Sequence, residues 1–164
     1  MSARPIGDHA LLSDCRSAAL VTSDGSVDWL CLPRFDSPAI FARLLDENAG
    51  HWSIRPTGQA DISRRYVEDT LVLETTFRTT TGTAVLHDAL ALGRRERGHA
   101  LGTTSPGTLL RQITCTEGHV DIEIAYAPRP EFGLVHPVLS AVRGGLAAYG
   151  GAHVLLPSSP VDLG

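Results

Sequence analysis

The sequence contains no lysine, has no long apolar run and is poor in aromatic residues, which make up 5% of the chain. All 14 basic residues are arginines, and the net charge is −4. A surface of this charge is unsuited to phosphate contacts, so we expect no nucleic-acid partner. The apolar runs are a few residues long, whereas a transmembrane helix needs about 18 or more. A membrane partner is therefore not expected either.

The chain also lacks the signals of secretion and of metal binding. Its N-terminus has no apolar stretch of about 7–15 residues, as a secretory signal would, and we expect a cytoplasmic protein. The three cysteines, Cys15, Cys31 and Cys115, are an odd number without C-x-x-C spacing, which indicates neither a disulfide framework nor a zinc site. Seven histidines are scattered along the chain. We predict no metal and no cofactor.

Common catalytic fingerprints are absent as well. There is no G-x-S-x-G, H-E-x-x-H, P-loop or dinucleotide motif. A general acid and base would have to come from carboxylates whose sequence spacing places none of them across a shared substrate. Those carboxylates are Asp24, Asp28, Asp36, Asp69 and Asp88.

The 164 residues are predicted to form one domain that spans 1–164. Hydrophobic residues alternate with a period of two, and 16 glycines and 10 prolines interrupt the chain at short intervals. This pattern is typical of all-β proteins, and many antiparallel strands pack most economically as a β-sandwich. The last residues, 161–164, give no clear stop, which leaves a truncated domain possible.

The predicted strands are separated by turn signals. Ala18–Thr22 and Val27–Leu32 flank an Asp-Gly pair, which is a strong hairpin signal. Two more hairpins are predicted, one across residues 80–82 and one across residues 117–118, with a long loop over residues 91–107 between them. The remaining predicted strands are His51–Arg55, Ser63–Tyr66, Thr70–Thr79, Thr83–Ala89, Thr108–Thr116, His119–Ala127, Val138–Val142, Leu146–Tyr149 and His153–Leu156.

One short helix is predicted directly after the second strand, over Ala39–Asp46. Ser37 is a suitable N-cap and Pro38 a suitable first helical residue. The preceding Asp36 carboxylate would be favoured by the helix dipole. One apolar face is formed by Ile40, Phe41, Leu44 and Leu45.

The segment around that boundary is the densest in residues that could make functional contacts. Two prolines stiffen it, and it could present a planar cation and an aromatic face to a sugar or to another domain. Equally, it could be a rigid structural corner with Trp29 and Phe35 in the core. The candidate site residues are Trp29, Pro33, Arg34, Phe35, Asp36 and Ser37.

Two segments are distinctive: residues 5–21, and the block D-G-S-V-D-W-L-C-L-P-R-F-D-S-P over residues 24–38. Together they resemble the start of bacterial family-fifteen glycoside hydrolases, the glucoamylase and trehalase-like group. The resemblance is strong over residues 5–45. It continues more weakly through Arg65-Tyr66, residues 70–75 and the strand Thr108–Ile113.

The resemblance implies an N-terminal, supersandwich-like β-sandwich that packs on an (α/α)₆ barrel in the same polypeptide. In that family the barrel supplies the two catalytic glutamates of an inverting α-glucosidase. No part of such a barrel is present here, so no catalytic residue can be assigned and the chain alone is predicted to be inactive. The loop Pro33–Ser37 is then the candidate contact with the barrel or with its substrate entrance.

Two other functions stay open from the residues alone. One is a stand-alone carbohydrate-binding β-sandwich, although such modules usually need exposed aromatic platforms and aromatics are few here. The other is a structural or interaction protein without a sugar site. If a face that normally packs on a barrel is exposed, it also predicts a tendency to form a homo-oligomer.

Overall fold

A computed structural model describes residues 5–160, and the predictions about a leader and a C-terminal stop lie partly outside them. Within these residues no helix has the length and apolarity to cross a membrane. Two 3₁₀ turns, Ile6–Asp8 and Gly98–Ala100, accompany the strands. The strands are β1 (Ala10–Ser13), β2 (Ala18–Val21), β3 (Ser26–Cys31), β4 (Ala39–Phe41), β5 (His51–Pro56), β6 (Asp61–Tyr66), β7 (Leu73–Arg78), β8 (Gly82–Leu90), β9 (Leu109–Gly118), β10 (Ile122–Ala127), β11 (Val138–Val142) and β12 (Gly145–Tyr149).

The strands form two larger sheets and one ribbon, and their pairings are antiparallel. The six-stranded sheet has the order β1-β2-β3-β5-β10, with β4 paired to β3. The four-stranded sheet is the meander β6-β7-β8-β9, and β11 and β12 form the ribbon. The predicted all-β antiparallel fold is confirmed.

The main core lies between the two larger sheets. Phe41 from β4 and Phe77 from β7, one from each sheet, are among the largest fully buried side chains. Strand β8 is buried at every second residue from Ala84 to Leu90, as expected when successive side chains point to opposite faces. The main buried cluster consists of Ala10, Leu12, Ala19, Val21, Val27, Leu30, Ile40, Phe41, Leu73 and Leu90.

The Asp-Gly hairpin between β2 and β3 is confirmed. Gly25 has a φ of +79°, in the left-handed region that glycine adopts without steric cost. A Cβ at this position would lie 2.5 Å from the carbonyl oxygen of Ile54. The hairpin tip therefore sits directly against β5, and only glycine fits there.

The predicted helix over Ala39–Asp46 is wrong. Residues 39–41 form strand β4, which pairs with β3 through Leu30↔Phe41 and Cys31↔Ala39. An apolar run of this length is compatible with a helix or with a strand buried on both faces, and periodicity does not separate them. Here β4 is buried on both faces, and turns follow it.

The predicted hairpin of Thr108–Thr116 with His119–Ala127 is also wrong. The strands are present, but β9 pairs with β8 in one sheet and β10 pairs with β5 in the other. The connection through residues 119–121 crosses between layers instead of reversing within one. Near the C-terminus, the predicted strand His153–Leu156 is reduced to isolated bridges on β12, among them Ala148↔Leu155.

Candidate functional site

The candidate loop joins β3 to β4 and is fixed by its own backbone. The N–H of Phe35 donates to the carbonyl of Arg16 at 3.0 Å, which ties the loop to the β1–β2 turn. Ser37 closes the loop, since its N–H donates to the Arg34 carbonyl at 3.1 Å and its Oγ accepts from the Arg34 N–H at 3.2 Å. The Leu32–Pro33 peptide is cis. These hydrogen bonds fix the conformation of the loop at the end of β3.

Arg34 and Asp36 form a two-point ion pair at the surface of this loop. Arg34 Nε donates to Asp36 Oδ1 at 2.8 Å, and a terminal guanidinium nitrogen donates to Oδ2 at 3.2 Å. The hydrogen bond from Arg34 lowers the pKa of Asp36, and the same bond raises the pKa of Arg34. The predictions that Ser37 caps a helix and that its dipole favours Asp36 are wrong, because strand β4 follows and not a helix.

The two aromatic residues of the candidate segment have different environments. Phe35 is 58% exposed at the loop surface. Trp29 is half-buried on β3 and packs against the small buried cluster of Cys31, Ala39, Ala42 and Ala49. Phe35 is thus exposed, as a contact role would require, and Trp29 is packed, as a structural corner would require.

Phe132 contacts Trp29 and was not among the predicted site residues. Their ring centroids are 6.3 Å apart with an interplanar angle of 42°. Phe132 and the preceding Glu131 both have left-handed backbones, with φ of 59° and 56°, and Gly133 follows at 97°. Left-handed non-glycine residues cost conformational energy and persist only where the surroundings enforce them.

Backbone hydrogen bonds from this turn to β4 supply that enforcement. The N–H of Arg129 donates to the Ile40 carbonyl at 2.9 Å, and the N–H of Phe132 donates to the Ala39 carbonyl at 3.2 Å. The sequence marks residues 128–136 as turn-rich, but nothing in it indicates that the turn docks on β4. The contact is a tertiary feature without a local signal.

Of the other candidate carboxylates, Asp24, Asp28 and Asp88 have structural partners. Asp88 is fully buried and pairs with the equally buried Arg111. The carboxylate of Asp28 accepts the Ser26 hydroxyl at 2.5 Å, and Asp24 lies in the β2–β3 turn. Within residues 5–160, no group of three or more His, Cys, Asp or Glu side chains is arranged to hold a metal ion.

The structure thus defines a class of protein: an antiparallel β-sandwich with a charged and aromatic loop, Pro33–Ser37, exposed at its surface. Residues 1–162 match the family model described as "Trehalase-like, N-terminal". The chain therefore belongs to the trehalase-like N-terminal domain family.

Longer proteins named trehalase are similar to this chain. It is 37% identical over 158 residues to the trehalase of Mycolicibacterium smegmatis, an alignment that covers 90% of this chain and 23% of that protein. It is 39% identical over 134 residues to the trehalase of Mycobacterium tuberculosis, covering 76% of this chain and 20% of that protein. Trehalase 1 of Sulfolobus acidocaldarius is 31% identical over 144 residues, which is 87% of this chain and 22% of that protein.

The chain thus spans about a fifth to a quarter of the length of these relatives. No solved structure matches it.

Proposed function

We propose that this chain is the non-catalytic N-terminal domain of an inverting α-glucoside hydrolase of the trehalase or glucoamylase type. In this proposal the domain supports a catalytic (α/α)₆ barrel in the same polypeptide. The loop Pro33–Ser37 borders the entrance to the barrel's substrate pocket. The α-glucoside substrate is bound through that barrel and not by the domain alone.

The observation that carries the proposal is the loop itself. Arg34, Phe35 and Asp36 are exposed, although the backbone around them is fixed by hydrogen bonds to Arg16 and Ser37. A fixed backbone that presents a planar cation, a carboxylate and an aromatic ring has the groups that sugar hydroxyls and sugar faces contact. None of these three side chains belongs to a buried cluster of the described residues.

A stand-alone carbohydrate-binding module is less well supported. Both tryptophans, which are the strongest stacking surfaces for a sugar ring, pack against the interior: Trp29 on its small cluster and Trp52 on the main core. We therefore expect the 164-residue chain to release no glucose from trehalose or maltose and to show no heat of binding for either sugar in titration calorimetry.

The proposal is tested in the polypeptide encoded by the complete gene, with Arg34→Ala and Phe35→Ala. A hydrogen bond to a charged group contributes about 1.5–3 kcal/mol, so Arg34→Ala should reduce kcat/KM by roughly 10- to 100-fold. Arg65→Ala is the matched control, because Arg65 makes the same two-point ion pair with Glu74 at a similarly exposed place on β6. Unchanged kinetics in both loop variants would reject the entrance role.

A further inference from the structure

A second surface, distinct from the loop, is unusually apolar. Large exposed hydrophobic side chains concentrate in residues 132–156, the ribbon β11–β12 with its flanking turns. We call this surface the ribbon face. Its most exposed large apolar residues are Leu134 (84%), Leu156 (70%), Val138 (67%) and Val154 (52%).

The ribbon face is nearly free of charge. Residues 132–156 contain a single formally charged side chain, Arg143, whereas 20% of the whole chain is charged. All five residues of β11 are exposed, including apolar ones on both faces of the strand. Val138 pairs directly with Tyr149 across the ribbon, so their exposed side chains are adjacent and form one continuous apolar surface.

A surface of this kind is normally covered. Soluble proteins rarely expose contiguous apolar patches, and where they do the patch marks an interaction site. A two-stranded ribbon is also only marginally stable without packing. Arg143 is the single basic side chain between residues 132 and 156, and one cation is too few for an anionic membrane, which favours a protein surface that is itself apolar.

We infer that the ribbon face is the surface on which the rest of the polypeptide packs, and that the loop Pro33–Ser37 is left free of this interface. The inference rests on the proposed function and narrows it. In the relatives named above, more than three quarters of the protein lies outside the matched region, and the matched family is an N-terminal one. The occupant therefore follows in sequence, and residues 132–156 lie close to the end of the chain that leads to it.

The loop is the wrong surface for a dry interface. Burying the Arg34–Asp36 ion pair would require removing two charges from water, at a cost that their mutual attraction does not reliably offset. Burying Leu134 or Val138 costs nothing comparable and removes apolar area from water. The two surfaces thus have separate roles: the ribbon face binds the neighbouring domain, and the loop faces solvent and substrate.

Carbene footprinting of the polypeptide encoded by the complete gene tests this inference without any substitution. Leu45 is the internal reference, because it is 66% exposed in the domain and lies outside the ribbon face. We expect Leu134 and Val138 to be labelled at least fivefold less than Leu45, and Phe35 to be labelled about as strongly as Leu45.

Four results would overturn the inference. Leu134 labelled as strongly as Leu45 would show that nothing covers the ribbon face. A reading frame that ends at Gly164 would show that no further part of the polypeptide exists to cover it. Protection of Phe35 with Leu134 labelled would make the loop the interface. If light scattering shows a dimer, and the protection of Leu134 disappears when that dimer is diluted, the ribbon face is covered by a second copy of the chain.

Footprinting tests the interface and kinetics test the entrance role, so the two proposals can fail independently. If Arg34→Ala leaves kcat/KM unchanged while Leu134 is protected, the entrance role fails and the interface stands. If Leu134 is labelled while Arg34→Ala lowers kcat/KM, the interface fails and the entrance role stands.

Discussion

Arg111 on β9 and Asp88 on β8, neighbouring strands of the four-stranded sheet, form a fully buried, two-point ion pair. Arg111 Nε donates to Asp88 Oδ1 at 2.8 Å, and a terminal nitrogen donates to Oδ2 at 3.2 Å. The same guanidinium reaches the other sheet, where it donates to the carbonyls of Trp52 at 2.5 Å and Gly25 at 2.7 Å. It also lies over the Trp52 ring, 5.3 Å from its centroid.

Asp88→Asn is expected to destabilise the domain by about 3–5 kcal/mol, because it leaves the Arg111 charge buried without a counter-charge. The measurement is the free energy of unfolding in urea. Glu123→Gln is the control: Glu123 pairs with Arg55 at 3.3 Å, but both side chains are about half exposed, so the loss should be below about 1 kcal/mol. Equal losses of unfolding free energy in the two variants would show that burial adds nothing to the contribution of the Asp88–Arg111 pair.

Gly25→Ala is expected to destabilise the domain by at least about 1–2 kcal/mol. The left-handed backbone alone costs an L-residue that much, and the new Cβ would meet the Ile54 carbonyl at 2.5 Å. Gly58→Ala is the matched control, since a Cβ there meets nothing within 4 Å. Thermal unfolding of both variants gives the comparison, and a Gly25→Ala melting temperature like that of Gly58→Ala would contradict the close packing of the hairpin tip on β5.

Asp36→Asn should leave the melting temperature of the domain close to that of the unsubstituted chain. The Arg34–Asp36 pair is short but exposed, and exposed pairs contribute little. Thermal unfolding measures this. A clearly lower melting temperature would mean that the loop has a structural role, and the kinetic effect of Arg34→Ala would then have to be reinterpreted.

Local signals predicted much of the fold correctly. The Asp-Gly turn and the two-residue alternation depend on a few neighbouring residues, so the sequence is sufficient to find them. The helix over residues 39–46 failed because Ile40 and Phe41 are buried by strand pairing to β3, which is a tertiary contact. The β9–β10 hairpin failed for a related reason: Gly118 and its neighbours give a turn signal, but not the sheet that the next strand joins.

The candidate site was predictable only in part. The charged and aromatic content of Arg34, Phe35 and Asp36 is visible in the sequence, and the structure keeps these residues together on one exposed loop. Trp29 contacts Phe132, more than a hundred residues later in the chain. No periodicity or spacing connects residues so far apart, and the pairing therefore needed the structure.

Glu96 organises the long loop over residues 91–107, which had given no periodic signal. Its carboxylate accepts hydrogen bonds from the Thr104 hydroxyl at 2.6 Å, from the Thr104 N–H at 2.5 Å and from the Gly102 N–H at 2.8 Å. These bonds, the one from the Thr104 hydroxyl above all, lower the pKa of Glu96 to about 2. The loop is closed on itself by one charged group.

The closure of this loop should depend on pH. An unfolded glutamate has a pKa of about 4.3, so the stabilisation by Glu96 is fully present above that value and is lost as the pH falls through the folded pKa of about 2. The NMR amide signals of Gly102 and Thr104 should therefore shift with a midpoint near 2, and this titration should vanish in Glu96→Gln. A midpoint near 4.3 would show that the carboxylate does not hold the loop, because bonds to the charged form must lower its pKa.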